Sequence, residues 1–243
     1  MVIRIPAHII DAAREGRTHY VLEQLATHRL DNGPAGCLML LACCGAGPAG
    51  AYTDRPRDIQ SKHVDLARAL IDRGADLKVR DRAWTPLAYA AEGFGDGSVD
   101  MVALLLDTGG AVSTSLFLSL LCAVRGLAAS DPERHLNCRR IVRMLLRAGA
   151  PLSALPPTLL RAGSPSYDPT LQLLATKQLI LDLRAAGSPR AYRMLRRKQI
   201  LRLRSLALRG RAEPADARMT FLVESPNEIA WKVLEYWRTE LDC

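Results

Sequence analysis

The sequence predicts an all-α protein built from repeated helical hairpins. Aromatic residues make up only 5% of the 243 residues, while Leu, Ala and Arg are abundant, and this balance favours helices over sheets. Apolar residues recur at helical spacing, and three of these stripes end at a glycine. The three glycines are Gly74, Gly109 and Gly149, which lie 35 and 40 residues apart. This spacing indicates a repeating helical unit.

The central unit, residues 80–111, shows the pattern most clearly. Thr85 is a predicted N-cap and Pro86 a predicted first helical residue, because proline lacks an N–H that this position leaves unbonded. The apolar face of this helix comprises Leu87, Ala90 and Ala91. The apolar stripe of the next helix comprises Val99, Val102, Leu105 and Leu106. Since one hairpin cannot bury both faces, it requires similar units on either side.

This unit resembles one ankyrin repeat, whose pattern is T-P-L-H-x-A-A, a V-x-L-L helix and a G-A-D ending. Thr85-Pro86-Leu87 and the alanine pair match, whereas Ala83 replaces the turn glycine and Ala88 the histidine. Residues 93–98 form a longer interhelical loop than the family has. The resemblance implies an ankyrin-type helical-hairpin solenoid with a concave surface that binds another protein.

In the ankyrin family the turn residues point outward and contact partners. The resemblance therefore implies a partner-binding surface that comprises Asp81, Arg82, Trp84 and Glu92. Trp84 is the expected anchor, because an aromatic side chain at a turn tip adds a large contact area at low entropy cost. The alternative is that Trp84 packs on the neighbouring turn.

Three further hairpins follow the same rhythm, and a degenerate fifth is predicted from Leu159-Leu160 and residues 171–183. The paired helices are predicted over 8–15 and 20–26, over 39–44 and 63–72, and over 116–124 and 138–147. Loop insertions are predicted near 45–61 and 126–136, from their Gly, Pro and charged residues. Residues 1–186 are thus predicted to be the solenoid, and residues 187–243 a basic helix followed by an aromatic helix.

Residues 184–211 contain ten basic residues and no acidic one. Ser188-Pro189 predicts the start of a long helix. Its candidate anion-binding residues are Arg193, Arg196, Arg197 and Arg204. The arginines could face water, an acidic protein, a nucleic acid or an anionic membrane surface. Tyr192 alone offers an aromatic ring for stacking, which argues against a nucleic acid.

The last segment begins with Ser225-Pro226-Asn227-Glu228, which predicts a capping box and a helix. Its apolar stripe comprises Ile229, Ala230, Val233, Leu234, Trp237 and Leu241. This segment resembles the opening helix of an F-box, and the F-box-like tail of some ankyrin proteins of large DNA viruses, although Ser225 replaces the usual leucine. The resemblance implies docking to a Skp1-like ubiquitin-ligase subunit through Pro226, Glu228, Ile229, Val233 and Trp237. The alternative is a cap that buries Val233 and Trp237 and leaves Trp231 partly exposed.

The sequence contains no recognisable catalytic constellation or phosphate loop, so no enzyme activity and no cofactor are predicted. His135 and Cys138 are spaced like two metal ligands but lack a second pair, so no metal site is predicted. The six cysteines lack C-x-x-C spacing and are predicted to be reduced core thiols.

No signal peptide or membrane-spanning run is visible, so an intracellular location, cytoplasmic or nuclear, is expected. Taken together, the sequence predicts a scaffold that binds a protein partner. The alternatives are a ubiquitin-ligase adaptor and a protein that binds anionic partners through its basic helix.

Overall fold

The computed structural model describes residues 6–27, 34–45, 58–81, 84–110, 113–126, 132–152, 171–214 and 216–236. Within these ranges the chain is helical and its β-type contacts are two isolated bridges, so the predicted all-α class is confirmed. Contacts divide the chain into two compact units, Met1–Leu173 and Leu174–Cys243. Their boundary lies inside a helix, ahead of the predicted boundary at 186.

The described part of the first unit contains four consecutive helix pairs. The helices are α1 (Ala7–Arg14), α2 (Thr18–Thr27), α3 (Pro34–Cys43), α4 (Ser61–Asp72), α5 (Pro86–Glu92), α6 (Gly97–Asp107), α7 (Ser113–Gly126) and α8 (Pro132–Arg147). The odd-numbered helices contact one another in succession, and so do the even-numbered helices. The members of each pair also touch, which confirms the predicted contact between α5 and α6. The eight helices therefore form two rows.

Small and large apolar side chains together fill the two rows. In the odd-numbered row, the pairs Ala12-Ala13 and Ala90-Ala91 are buried, and such small residues let helices approach closely. Both rows also bury large side chains, namely Ile9, Met39, Leu40, Leu87 and Leu120 in the odd-numbered row, and Leu66, Leu70, Met101, Leu105, Ile141 and Leu145 in the even-numbered row. Burial of each large side chain contributes about 1.5–3 kcal/mol. In α6, Met101 and Leu104 are buried, whereas the predicted Val99 and Leu106 are only half-buried.

Helices α4, α6 and α8 end in the same way. Gly74, Gly109 and Gly149 have φ values of 87°, 95° and 88°, a region that favours glycine. After each glycine, the next N–H donates to a carbonyl five residues earlier, at distances of 3.0, 2.8 and 3.0 Å. This pattern is the Schellman motif. The predicted glycine terminators are therefore confirmed.

The predicted start of α5 is also confirmed. Thr85 Oγ1 accepts a hydrogen bond from the Ala88 N–H at 3.3 Å, and Pro86 is the first helical residue. Helix α4 begins differently, because the Gln60 N–H donates to His63 Nδ1 at 2.9 Å. His63 Nε2 therefore carries the proton and donates to the Arg14 carbonyl at 2.9 Å. This buried histidine joins the start of α4 to the end of α1.

The predicted insertion near 45–61 is not simply an open loop. Residues 46–57 lie outside the described ranges, but Ile59 is 1% exposed and Asp58 forms a parallel bridge with Phe94. The Ile59 N–H donates to the Phe94 carbonyl at 2.6 Å, and the Gly97 N–H donates to the Ile59 carbonyl at 2.9 Å. Because an isoleucine anchors this segment, it belongs to the core.

Two other predicted loops are shorter than expected. The interhelical loop expected over 93–98 is four residues long, because α6 already begins at Gly97. The insertion expected over 126–136 overlaps two helices, since α7 extends to Gly126 and α8 begins at Pro132. Proline at a first helical position and Glu133 in the first turn both favour this early start. Residues 127–131 lie outside the described ranges.

The second unit contains most of α9 (Leu171–Ala186), together with α10 (Pro189–Leu208), α11 (Ala217–Glu224) and α12 (Asn227–Glu235). The predicted cap of α10 is confirmed, because Ser188 Oγ accepts from the Ala191 N–H at 3.1 Å. A small core of Leu222, Ala230 and Leu234 joins the last helices, with Ile200, Leu201, Met219 and Val233 packed against it. Leu159-Leu160, the rest of the predicted fifth hairpin, lies outside the described residues. Among the described helices, none combines the length and apolar character needed to cross a bilayer.

Candidate functional site

The predicted anchor Trp84 lies in a compact cluster in front of α5. Asp81 and Trp84 exchange two backbone hydrogen bonds, each 2.9 Å long, which fixes the spacing of the two residues. Arg82, the third predicted contact residue of this turn, lies outside the described residues. These two hydrogen bonds fix the backbone of Trp84 directly before the start of α5.

Tyr89 completes the cluster, although the sequence interpretation did not include it. Its ring lies 5.2 Å from the Trp84 ring between centroids, with an interplanar angle of 33°. Its hydroxyl donates to Asp81 Oδ2 at 3.0 Å. We call Asp81, Trp84 and Tyr89 the tip cluster. The signal in the sequence was a second aromatic residue five positions after Trp84, in a chain with few aromatics.

The Trp84 ring packs within the tip cluster, because it contacts the ring of Tyr89 in α5. The alternative expectation, that Trp84 packs on the neighbouring turn, stays a prediction. Both rings are half-buried, so each keeps an exposed part. Glu92, the fourth predicted contact residue, is half-buried at the end of α5, three residues beyond Tyr89.

A second feature of the first unit is an open groove of about 570 Å³. Its lining residues are Asp58, Gln60, Ser61, Phe94, Gly95, Asp96, Glu133 and Arg134. Gly95 has a φ of 96°, and its carbonyl accepts from Asn137 Nδ2 at 3.2 Å. A Cβ at Gly95 would approach the Ile59 carbonyl oxygen to 2.6 Å, so the groove wall requires glycine there. Sequence interpretation missed this groove, because it depends on contacts between segments far apart in the chain.

The cysteines and the candidate metal ligands are buried. The described cysteines, Cys37, Cys43, Cys44, Cys122 and Cys138, are free and buried, as predicted, and Cys243 lies outside the described residues. Burial raises the pKa of the Cys138 thiol, although the nearby Arg134 partly opposes this. His135 lies on the same helix, and within the described ranges no three His, Cys, Asp or Glu side chains are grouped to hold a metal ion.

The four candidate anion-binding arginines of α10 have different environments. Arg196 forms an ion pair with Asp182 at 3.2 Å and a hydrogen bond with the Tyr192 hydroxyl at 3.2 Å. Arg197 donates to the Glu235 carbonyl at 2.7 Å. Arg193 is half-buried.

Arg204 was predicted as a candidate anion-binding residue, but it is buried, with only 9% of its surface exposed. Its Nε donates to the Leu222 carbonyl at 2.6 Å, and one Nη donates to the Ser225 carbonyl at 2.7 Å. The other Nη donates to Asn227 Oδ1 at 2.7 Å. All three guanidinium nitrogens therefore hold the junction between α11 and α12, and Arg204 is a structural residue rather than a binding site for an external anion.

The start of α12 differs from the predicted capping box. The helix begins at Asn227, and no side chain caps its N-terminus. Ser225 Oγ instead donates to the Phe221 carbonyl at 2.7 Å, because Ser225 also ends α11. The predicted helix itself is confirmed.

Part of the predicted docking residues of α12 lies on the surface. Pro226, Glu228 and Ile229 are exposed, with Ile229 at 46%. Val233 is half-buried against the small core, and Trp231 is 61% exposed. Trp237 lies outside the described residues. The structure therefore brings Pro226, Glu228 and Ile229 together at the start of one helix.

No known protein family model matches the chain, and no curated protein or solved structure matches it either.

Proposed function

We propose that the chain is an ankyrin-type solenoid that acts as a non-catalytic scaffold and binds a protein partner. The order of helix contacts supports this arrangement, because each pair adds one helix to each row. The shared glycine closures of α4, α6 and α8 support it as well. In such a stack each helix pair contacts only the neighbouring pairs, and the exposed turns and the odd-numbered helices remain available for binding.

The observation that carries the proposed function is the tip cluster. The Trp84 and Tyr89 rings are paired, and the Asp81 carboxylate fixes Tyr89 before any partner arrives. A fixed aromatic pair loses little conformational freedom on binding, which favours affinity. Tryptophan and tyrosine are also the residue types that most often dominate interface energetics. We therefore place the centre of the partner-binding surface at the tip cluster, flanked by Glu92.

Affinity capture from the native cell, with quantitative mass spectrometry, tests this proposal. The full chain and its Trp84→Ala variant are used as baits at equal concentration. We expect the specifically captured proteins of the full chain to be lost with Trp84→Ala, since truncation of an anchor typically costs more than 2 kcal/mol of binding energy. Trp231→Ala is the matched control, because it removes an exposed tryptophan from the second unit.

The control should capture the same proteins as the unmodified chain. If Trp84→Ala captures them equally well, the tip cluster is not the binding surface. Tyr89→Phe refines the result, because it removes only the hydroxyl that donates to Asp81. A tenfold or smaller loss of affinity is expected from it, since one such hydrogen bond contributes about 0.5–1.5 kcal/mol.

A second candidate function is that of a substrate adaptor for a ubiquitin ligase. The exposed Ile229, next to exposed Pro226 and Glu228, supports it, because an adaptor helix must offer apolar surface to its partner. Binding of a purified Skp1-like subunit to the full chain and to Ile229→Asp tests this function. Lys232→Asp, at an exposed position of the same helix, is the control. No binding by the full chain would contradict it.

A further inference from the structure

We propose that the exposed face of α10 binds the surface of a membrane that contains anionic lipids. This inference is independent of the tip cluster. It depends on which residues of α10 contact α11 and α12 and which residues of α10 are exposed.

One face of α10 is committed to contacts with α11 and α12. Ile200 and Leu201 pack against the small core, and Arg204 donates to the junction of the two helices. Arg197 donates to the Glu235 carbonyl. These residues are three or four positions apart, so they share one side of the helix. The orientation of α10 within its unit is thereby fixed.

The opposite side of α10 carries a stripe of leucine and basic residues. The stripe comprises Leu195, Lys198, Arg202 and Leu206, and it continues to Arg209, the C-cap of the helix. Their spacings of three or four residues place them on one line along the helix. Leu195 is 49% exposed and Leu206 is half-buried, while Lys198, Arg202 and Arg209 are exposed. Met194, beside the start of the stripe, is 47% exposed.

Charge is unevenly distributed within the described part of the second unit. No acidic residue occurs in α10, and Asp182, which precedes it, is paired with Arg196. The exposed acidic residues follow α10 in the chain, where Arg218 and Lys232 are exposed as well, and they are Glu213, Asp216, Glu224, Glu228 and Glu235. The stripe therefore presents positive charge without a neighbouring carboxylate on its own helix. A negatively charged surface is the complementary partner.

The leucines favour a lipid surface over a nucleic acid. In a membrane interface, apolar side chains enter the boundary between headgroups and acyl chains, while lysine and arginine contact the anionic headgroups. Single-stranded nucleic acids are typically held by exposed aromatic rings on which bases stack. The aromatic residue of α10, Tyr192, is only 3% exposed and cannot offer its ring. The half-exposed leucines would have no role on a phosphate backbone.

Vesicle co-sedimentation of the full chain tests the proposal. Vesicles of phosphatidylcholine alone are compared with vesicles of equal parts phosphatidylcholine and phosphatidylserine. We expect binding to the anionic vesicles only, and weaker binding as salt is raised. The variant Lys198→Glu/Arg202→Glu should lower the partition coefficient at least about thirtyfold, given the usual contribution of each basic residue near an anionic surface. Leu195→Ser should lower it about fivefold, because half of a leucine side chain is lost from the interface.

The matched control is Arg68→Glu/Arg73→Glu, which makes the same change of net charge at exposed positions of the first unit. Its partition coefficient should stay within about twofold of the unmodified chain, because neither residue belongs to the stripe. Circular dichroism checks that each variant is folded. An equal loss in this control, or no binding to anionic vesicles, would overturn the proposal. Binding of a single-stranded oligonucleotide that depends on Lys198 and Arg202, without vesicle binding, would assign the stripe to nucleic acid and overturn it too.

Discussion

Each of the two compact units is stabilised internally by a different kind of interaction. In the first unit, two rows of helices bury alanines and large aliphatic side chains, and glycines close α4, α6 and α8 in the same way. In the second unit, the small core of Leu222, Ala230 and Leu234 is supplemented by a buried arginine that donates to three acceptors. Apolar periodicity thus shapes the first unit, whereas one polar residue determines the junction of α11 and α12.

This difference predicts how each unit responds to substitution. Stability in the first unit is spread over many contacts of similar size, so single changes should have moderate effects unless they disturb the backbone. In the second unit, the loss of one side chain leaves several buried acceptors without donors. Such groups are costly, because each loses its hydrogen bond with water without replacement.

The largest effect is expected from Arg204→Ala. Its removal leaves the Leu222 and Ser225 carbonyls and the Asn227 side chain without their donor, and should destabilise the second unit by about 3–5 kcal/mol. Hydrogen exchange of the α11 and α12 amides measures this loss, while the amides of α4 to α8 should keep their protection. Arg202→Ala, an exposed arginine on the same helix, is the control and should change stability by less than about 0.5 kcal/mol. Unchanged exchange in Arg204→Ala would contradict the structural role of this residue.

The next largest effect is expected at two glycines of the first unit. It distinguishes backbone strain alone from backbone strain combined with steric overlap. Gly95 and Gly74 both have positive φ, but an added Cβ meets the Ile59 backbone at Gly95 and open space at Gly74. Gly74→Ala should cost about 1–2 kcal/mol from backbone strain alone. Gly95→Ala should cost about 2–4 kcal/mol, because overpacking is added to the strain. Urea denaturation measures both, and equal losses would mean that the segment around Ile59 is not held against the loop.

A smaller effect is expected at the start of α5. Thr85→Ala removes the side chain that accepts from the Ala88 N–H, and should cost about 1 kcal/mol. Thr85→Ser keeps the hydroxyl and should restore most of the loss. If Thr85→Ser is as unstable as Thr85→Ala in urea denaturation, the methyl group rather than the cap is the stabilising feature.

The smallest effect is a decline in stability at alkaline pH. Burial raises the pKa of the Cys44 and Cys138 thiols, so the folded chain holds their protons at a pH where the unfolded chain releases them. Stability is therefore fully present below the unfolded pKa of about 8.5 and decreases as pH rises above it. The loss at pH 9 should be about 1 kcal/mol or less for each thiol. Denaturation of Cys44→Ala/Cys138→Ala from pH 7 to 9 should show a shallower decline, and an identical slope would exclude these thiols as its source.

The features that the sequence predicted correctly are local. Thr85, Pro86 and Ser188 mark helix starts through contacts within three residues, and Gly74 and Gly109 mark helix ends through hydrogen bonds within five residues. Apolar spacing then predicts which side of a helix is buried. The all-α class follows from these local signals.

The features that the sequence could not predict join distant segments. Ile59 pairs with Phe94, so the end of an apparent insertion became part of the core. Arg204 looked like one of many solvent-facing arginines until its acceptors, eighteen or more residues away, were located. Ser225 matched a capping box, but the preceding helix uses its hydroxyl. In each case the local sequence pattern is the same whether the residue faces solvent or contacts a distant segment.

Only part of the candidate site was predicted, because its other contacts do not follow from a local sequence pattern. Asp81 and Trp84 were found through the repeat pattern, whereas Tyr89 became part of the site only through its ring contact and its hydrogen bond with Asp81. The groove that includes Asp58 and Glu133 had no signal in the sequence, because its walls come from three separate segments.

The central claim is that the first unit binds a protein partner through the tip cluster. The most direct test is the equilibrium affinity of the full chain for the most enriched captured protein, compared between Trp84→Ala and Trp231→Ala. We predict that Trp84→Ala raises Kd at least about thirtyfold, as expected for a central aromatic anchor, and that Trp231→Ala changes Kd by less than about twofold. An unchanged Kd for Trp84→Ala would contradict the claim. If Trp231→Ala raised Kd instead, the binding surface would lie in the second unit.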